Sequence, residues 1–278
     1  MPLKVGMVSL GCAKNMVNSE QMLQKLKDAG YDITGPIEEV DAIVINTCGF
    51  IESAKAEAIE NILEFAELKK AGRLKKIIVA GCLSERYKGE IMKEIPEVDG
   101  LVGCGSFDEI AEVLRGVMEG EKVCRFGDIN APLTETERIV TSGPGWAYLK
   151  IAEGCDNHCA YCVIPSIRGR FRSRPMESIL AEARALAEMG VKELIIVAQD
   201  TTRYGMDLYG ERKLSELVRK LCQIDGIEWI RLHYLYPDEI DDELIETVAA
   251  EEKVVKYLDI PIQHINDGIL QRMNRRGT

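Results

Sequence analysis

Residues 146–162 read Trp146-Ala147-Tyr148-Leu149-Lys150-Ile151-Ala152-Glu153-Gly154-Cys155-Asp156-Asn157-His158-Cys159-Ala160-Tyr161-Cys162. The first six residues predict a strand, and the chain then passes directly into a loop with three cysteines. A βα series follows. Helical spacing over 176–189 stops at Gly190, and strands are predicted at 193–198, 229–235 and 256–262. Helices are predicted at 214–224 and 241–250, with another opening at 266. Four or five such units make part of a (β/α) barrel and fall short of a closed one. The chain is therefore expected to stop inside that domain.

Upstream, residues 121–145 are rich in turn formers, with Pro132 and Ser142-Gly143-Pro144-Gly145, and read as a linker. Before it, residues 1–120 alternate again. Apolar, β-branched runs at 4–10, 42–45, 77–80 and 100–102 predict strands. The spacing over 19–29, 53–70 and 107–119 predicts helices, with Ser53 as an N-cap. Such alternation implies a doubly wound parallel sheet. The expected class is α/β: a doubly wound domain at 1–120, a linker at 121–145 and a partial barrel at 146–278.

Composition narrows the function. The chain has 278 residues, a net charge of −11, 46% hydrophobic and 29% charged residues, and nine cysteines. That apolar fraction excludes wholesale disorder. No run is long and apolar enough for a membrane span, and the start lacks a signal-peptide pattern. A cytoplasmic location without membrane association is expected. In that compartment nine cysteines point to metal or redox chemistry rather than disulfides. Neither half of the chain is basic, which argues against a broad nucleic-acid footprint.

Cys155, Cys159 and Cys162 form C-x3-C-x2-C at a strand's carboxyl end, the catalytic face of a βα barrel. Three thiolates on one loop can take three irons of a 4Fe–4S cluster and leave the fourth open. A closed zinc site would need a fourth ligand, and His158 sits awkwardly for that, between two of the thiols. Cys12, Cys48 and Cys82 each follow an apolar strand: Val8-Ser9-Leu10-Gly11-Cys12, Val44-Ile45-Asn46-Thr47-Cys48 and Val79-Ala80-Gly81-Cys82. Strand carboxyl ends of an open parallel sheet line one crevice, so these thiols can converge on a second cluster. The plainer reading is three buried cysteines. Cys104 also follows a strand, and spacing alone leaves it open as a fourth ligand. Cys124 and Cys222 match no motif and read as structural.

With these residues in place, the chain resembles the radical SAM methylthiotransferases. Cys155-x3-Cys159-x2-Cys162, with Tyr161 before the last cysteine, matches the radical SAM signature. Cys12, Cys48 and Cys82 match the pattern of the family's N-terminal domain. Further matches are Ser9-Leu10-Gly11-Cys12-Ala13-Lys14-Asn15, Cys162-Val163-Ile164-Pro165-Ser166-Ile167-Arg168-Gly169-Arg170, Gln199-Asp200-Thr201-Thr202-Arg203-Tyr204-Gly205 and Tyr257-Leu258-Asp259-Ile260-Pro261-Ile262-Gln263-His264. The resemblance implies two 4Fe–4S clusters, S-adenosyl-L-methionine as cofactor and an external electron donor. It leaves Cys104 outside the ligand set. Set against the family, the chain is expected to lack the end of the barrel and a C-terminal TRAM domain.

These stretches resemble most the branch that acts on a small-subunit ribosomal protein. The implied reaction is methylthiolation of an Asp β-carbon, with no nucleic acid as direct substrate. An acidic enzyme suits a basic protein substrate. Tyr161, Gln199, Asp200 and His233 are expected around the cofactor, and His264 is a weaker candidate. The run Arg168, Arg170, Arg172, Arg174 reads either as an attractor for carboxylates or as salt-bridging surface charge. The alternatives are a tRNA methylthiotransferase of the same superfamily, a non-catalytic iron–sulfur electron carrier and a zinc scaffold.

Overall fold

A computed structural model describes residues 3–36 and 39–276. The chain divides into two compact units. The first is Met1–Ile139 with Ser166–Arg168, and the second is Val140–Pro165 with Gly169–Thr278.

In the first unit, strand β1 (Lys4–Ser9) leads to helix α1 (Ala13–Asp28) and the short β2 (Asp32–Ile33). Strand β3 (Ala42–Thr47), helix α2 (Glu52–Lys70), strand β4 (Lys76–Gly81) and helices α3 (Cys82–Tyr87) and α4 (Gly89–Glu94) follow. Strand β5 (Gly100–Val102), helix α5 (Ile110–Met118) and strand β6 (Val123–Arg125) complete it. The six strands are parallel, in the order β2-β1-β3-β4-β5-β6. The central strands are buried on both faces, so they read as continuous apolar runs. Ile43, Ile45, Ile77 and Val79 pack on one face with Ile62 and Phe65 of α2. Their neighbours Val44 and Ile78 turn the other way, onto Met22 and Leu26 of α1 and Leu114 of α5. Helices thus cover both faces, and the doubly wound reading holds. The chain winds outward from β1 to β2, then returns to β3 on the other side. The sheet therefore reverses direction between β1 and β3, which opens a crevice at their carboxyl ends.

Two local expectations change. Helix α2 starts at Glu52, with Ile51 as its N-cap residue and no side-chain cap bond. Ser53 lies inside the first turn. Glu52 sets a carboxylate among the unpaired N–H groups there, a favourable arrangement with the helix dipole. The helix expected from 107 begins as a 3-10 turn over Phe107–Glu109.

The second unit carries β7 (Trp146–Lys150), β8 (Ala152–Glu153), α6 (Ile164–Arg168), β9 (Arg172–Ser173), α7 (Met176–Glu188), β10 (Glu193–Val197) and α8 (Met206–Tyr209). It continues through α9 (Leu214–Cys222), β11 (Trp229–Leu232), α10 (Asp242–Ala250), β12 (Val254–Leu258) and α11 (Asp267–Arg272). The last three residues of α6 group with the first unit. Strands β7, β10, β11 and β12 form a parallel sheet in chain order, while β8 and β9 make a separate antiparallel pair. Sequential parallel strands with intervening helices are the βα run of a partial barrel. Leu149, Leu194, Ile196 and Leu232 form its core with Ile179, Leu217 and Leu221 of the covering helices. Asp241 and Asn266 cap α10 and α11 by accepting from Leu244 N at 2.9 Å and Ile269 N at 3.2 Å. Among the described residues no helix is long and apolar enough to cross a membrane.

Candidate functional site

In the first unit, three strand ends deliver three cysteines to the crevice. Cys12 stands at the N-cap of α1, Cys48 follows β3 directly, and Cys82 opens α3. Cys12 and Cys48 are half-buried and Cys82 is buried; none of the three is in a disulfide. Close backbone approach locks the loops together. Gly11 has φ +99°, and a Cβ there would stand 2.9 Å from Cys48 Cβ. A Cβ on Gly49 would stand 2.9 Å from the Cys82 carbonyl. Only glycine admits such contacts.

Asn15, on the first turn of α1, ties the same loops by hydrogen bonds. Its Nδ2 donates to Leu10 O at 3.1 Å and to Thr47 O at 2.9 Å, beside Cys12 and Cys48 respectively. Its Oδ1 accepts from Cys82 Sγ at 3.7 Å. Burial pushes the Cys48 thiol up, the Phe50 backbone N–H opposes this, and the nearby thiols of Cys82 and Cys12 push it further up. The thiols are thus close enough to feel one another.

Cys104 follows β5, and its N–H donates to Glu85 Oε2 at 2.9 Å. Cys124 lies on β6 and is exposed, so the turn-rich stretch after residue 120 includes a strand of the first sheet. Cys222 packs in the core of the second unit.

In the second unit the loop from Cys155 to Cys162 leaves β8. Cys155 N donates to Gly169 O at 3.1 Å, and Cys162 N to Cys159 O at 2.9 Å. Backbone N–H groups point at two of the sulfurs, from Asn157 to Cys155 at 3.4 Å and from Ile164 to Cys162 at 3.5 Å. Such donors favour the thiolate form that binds iron. Burial outweighs these donors. It pushes the Cys155 thiol up to about 11 and raises Cys162 as well. Residues 273–275 strap the loop from outside. Ala160 N donates to Met273 O at 2.9 Å, Asn274 Nδ2 to His158 O at 2.6 Å, and Arg275 Nη1 lies 4.0 Å from Cys159 Sγ. His158 is exposed on the outer side of the loop.

The other expected residues have distinct surroundings. Tyr161 is 44% exposed, and its hydroxyl is pushed up to about 12, by burial first and then by Cys159. Gln199 Nε2 donates to Glu153 Oε1 at 2.6 Å, and its Oε1 is buried without a hydrogen-bond partner. Asp200 is 1% exposed. Its Oδ2 accepts from Asn157 Nδ2 at 2.8 Å and its Oδ1 from the Thr202 hydroxyl. Burial raises its pKa against those two bonds. His233 follows β11, with its ring 6.0 Å from Tyr234 and 6.3 Å from Tyr257. His264 is exposed, and its Nδ1 accepts from Asn266 N at 2.9 Å in a local turn.

The arginine run splits. Arg174 is buried in an ion pair with Glu182 at 2.6 Å, and Arg170 is exposed. Arg168, grouped with the first unit, is buried against Cys82. Sequence reasoning gave Asn15, Asn157 and this role of Arg168 no place, because none belongs to a ligand spacing. The one available signal was their position within or beside the cysteine motifs.

Among the described residues no three His, Cys, Asp or Glu side chains are drawn together tightly enough to hold a single metal ion. Two sets of three cysteines outside any disulfide, on pinned segments beyond strand ends, suit a cluster, whose separate irons each take one thiolate.

Both units have counterparts among known proteins. Residues 4–103 match the model of Uncharacterized protein family UPF0004, and residues 149–278 that of the Radical SAM superfamily. The chain is 55% identical over 275 residues to the ribosomal protein uS12 methylthiotransferase RimO of Lachnoclostridium phytofermentans, covering 99% of this chain and 62% of that protein. It is 55% identical to RimO of Acetivibrio thermocellus, covering 100% and 63%, and 50% identical to RimO of Clostridioides difficile, covering 99% and 62%. The chain thus spans less than two thirds of the length of these relatives. A solved structure of the radical S-adenosylmethionine methyltransferase TsrM from Kitasatospora setae, with tryptophan substrate and a SAM analog bound, superposes with a TM-score of 0.70. The identity is 12%, over 100% of this chain and 63% of that one, a likeness of fold. With both family models matched along the chain, and half or more of its aligned residues shared with these RimO proteins, the chain is similar to the radical SAM methylthiotransferases over nearly its whole length.

Proposed function

We propose that this chain is the two-cluster part of an enzyme that methylthiolates the β-carbon of an Asp side chain in ribosomal protein uS12. One observation carries the reading: two separate sets of three cysteines, none in a disulfide, follow strand carboxyl ends, one set to each unit. Cys155, Cys159 and Cys162 would hold one 4Fe–4S cluster, and Cys12, Cys48 and Cys82 the other. In domain terms, the first unit, which includes β6 and runs to Ile139, carries the second cluster, and residues 146–278 form the radical SAM barrel. When bound, the barrel cluster with S-adenosylmethionine supplies the hydrogen-abstracting radical, and the second cluster supplies the sulfur.

The chain's own residues orient and shield. The Asn157 backbone N–H points at Cys155 Sγ, and the Asp200 carboxylate fixes the Asn157 side chain. Gln199 offers its buried, unpartnered Oε1 to a ribose hydroxyl or to the methionyl ammonium of the cofactor. Tyr161, exposed beside Cys159, is placed to lie on the adenine, and His233 lines the same carboxyl end from β11. With both oxygens engaged by Asn157 and Thr202, Asp200 acts by holding the loop. The charge of −11 favours encounter with a basic ribosomal protein in the cytoplasm. An external donor provides the electrons.

The test offers the reconstituted chain a uS12 peptide and bulk tRNA together, anaerobically, with S-adenosylmethionine and a reductant. Mass spectrometry then locates the added methylthio group. Gain on the peptide Asp supports the proposal. Gain on tRNA moves the chain to the tRNA-modifying branch, and cofactor cleavage absent throughout points to an electron carrier.

A further inference from the structure

Arg168 is 2% exposed. A guanidinium so placed must be compensated by acceptors. Its Nη1 donates to Asn18 Oδ1 at 2.8 Å, and its Nη2 to Asn15 Oδ1. Its Cζ lies 5.7 Å from the centroid of the Phe107 ring, over its face. The edge formed by Nε and Nη2 faces Cys82 Sγ, which stands 3.3 Å from Nε and 3.2 Å from Nη2. That two-donor edge is the one arginine ordinarily offers to a carboxylate. A thiol sulfur is a weak acceptor, whereas a metal-bound thiolate carries charge. Asn15 holds the other side of the fork and also bonds the carbonyls beside Cys12 and Cys48. The guanidinium is therefore fixed relative to all three cysteine loops.

We infer that Arg168 is a positioning residue that sets the reduction potential of a cluster on Cys12, Cys48 and Cys82, through two N–H···S hydrogen bonds to Cys82. The inference rests on the proposed ligation of that cluster. Hydrogen bonds to a ligand sulfur and a neighbouring positive charge favour the reduced, more negative state. Arg168 accordingly raises the midpoint. Lysine in its place keeps the charge and loses the fork, and glutamine loses the charge.

The experiment uses the full chain with Cys155→Ala, Cys159→Ala and Cys162→Ala, so that only the first-unit cluster can form. Iron and sulfide are loaded anaerobically, and the midpoint is read by EPR-monitored redox titration in the wild-type Arg168, Arg168→Lys and Arg168→Gln backgrounds. The expected midpoints fall in that order, Arg168→Gln lowest. Asn18→Ala, which removes one anchor of the guanidinium and leaves Arg168 in place, shifts the midpoint in the same direction by less. That variant decides the matter if the Arg168 variants do not fold. Equal midpoints with a normally loaded cluster overturn the role of Arg168 and leave the ligation standing. Failure of the parent chain to take up iron and sulfide overturns the ligation, and the inference with it.

Discussion

Asn157 Nδ2 donates to Asp200 Oδ2 at 2.8 Å, fastening the loop between Cys155 and Cys159 to the carboxyl end of β10. Both partners are buried, Asp200 to 1% exposure. The cysteine loop is thereby held by a carboxylate that the sequence reading expects around the cofactor.

This bond makes a pH-dependent prediction. Burial raises the Asp200 pKa above its ordinary value of 3.8, so the folded chain binds that proton more tightly than the unfolded chain. The associated stability is complete below pH 3.8 and declines as pH rises through the raised pKa. In urea unfolding of the metal-free chain, wild type minus Asp200→Asn should therefore fall as pH rises above 3.8 through the raised pKa, then level off. A difference that grows with pH would mean that the carboxylate is the favoured form.

Gly11 is the next point of sensitivity. A Cβ there would meet Asn15 Nδ2 and Cys48 Cβ, both at 2.9 Å, at φ +99°. Gly11→Ala should destabilise the first unit by about 2 kcal/mol, from backbone strain and displaced neighbours. It should also lower iron uptake by the Cys12, Cys48 and Cys82 set while leaving the other set loaded. Denaturation and iron analysis in the cysteine-substituted backgrounds check both effects.

Glu20 and Arg138 form an ion pair with side chains 1% and 4% exposed. Removing one partner of a buried pair costs about 3–5 kcal/mol, because the other charge stays desolvated. Glu20→Ala should lose about that much in denaturant unfolding, with little sensitivity to salt. A loss below about 1 kcal/mol would indicate that water replaces the carboxylate.

Cys222 provides a control on thiol chemistry. Burial first, then Glu251, pushes its thiol up to about 11. At pH 8 the native chain should resist alkylation at Cys222 and label at exposed Cys124, with Cys222 labelling only after unfolding. Peptide mass spectrometry after a short alkylation pulse reads both sites.

Much of this architecture is legible in the sequence because parallel strands buried on both faces leave unbroken apolar runs. Ile43-Val44-Ile45 and Ile77-Ile78-Val79 are two such runs, and each ends within a few residues of a cysteine. The convergence of Cys12, Cys48 and Cys82 follows from strand ends alone. The start of α2 was not legible, since Ser53 resembles a cap while the short loop from Cys48 leaves Ile51 in that place. Arg168 was misleading for another reason. Alternation with Arg170, Arg172 and Arg174 suggests a solvated stripe, yet its sulfur partner lies 86 residues away in the chain, beyond any periodicity. Likewise the Asn157 and Thr202 bonds on the two oxygens of Asp200, a residue expected around the cofactor, leave no signal in the sequence.

The central claim is that two cysteine sets hold two clusters, and iron and acid-labile sulfide content tests it most directly. The reconstituted chain should carry about eight irons. Substituting Cys155, Cys159 and Cys162 by alanine should leave about four, and so should substituting Cys12, Cys48 and Cys82. Substituting all six should leave none. An iron content unchanged by losing either set, or zinc in place of iron and sulfide, would contradict the two-cluster account.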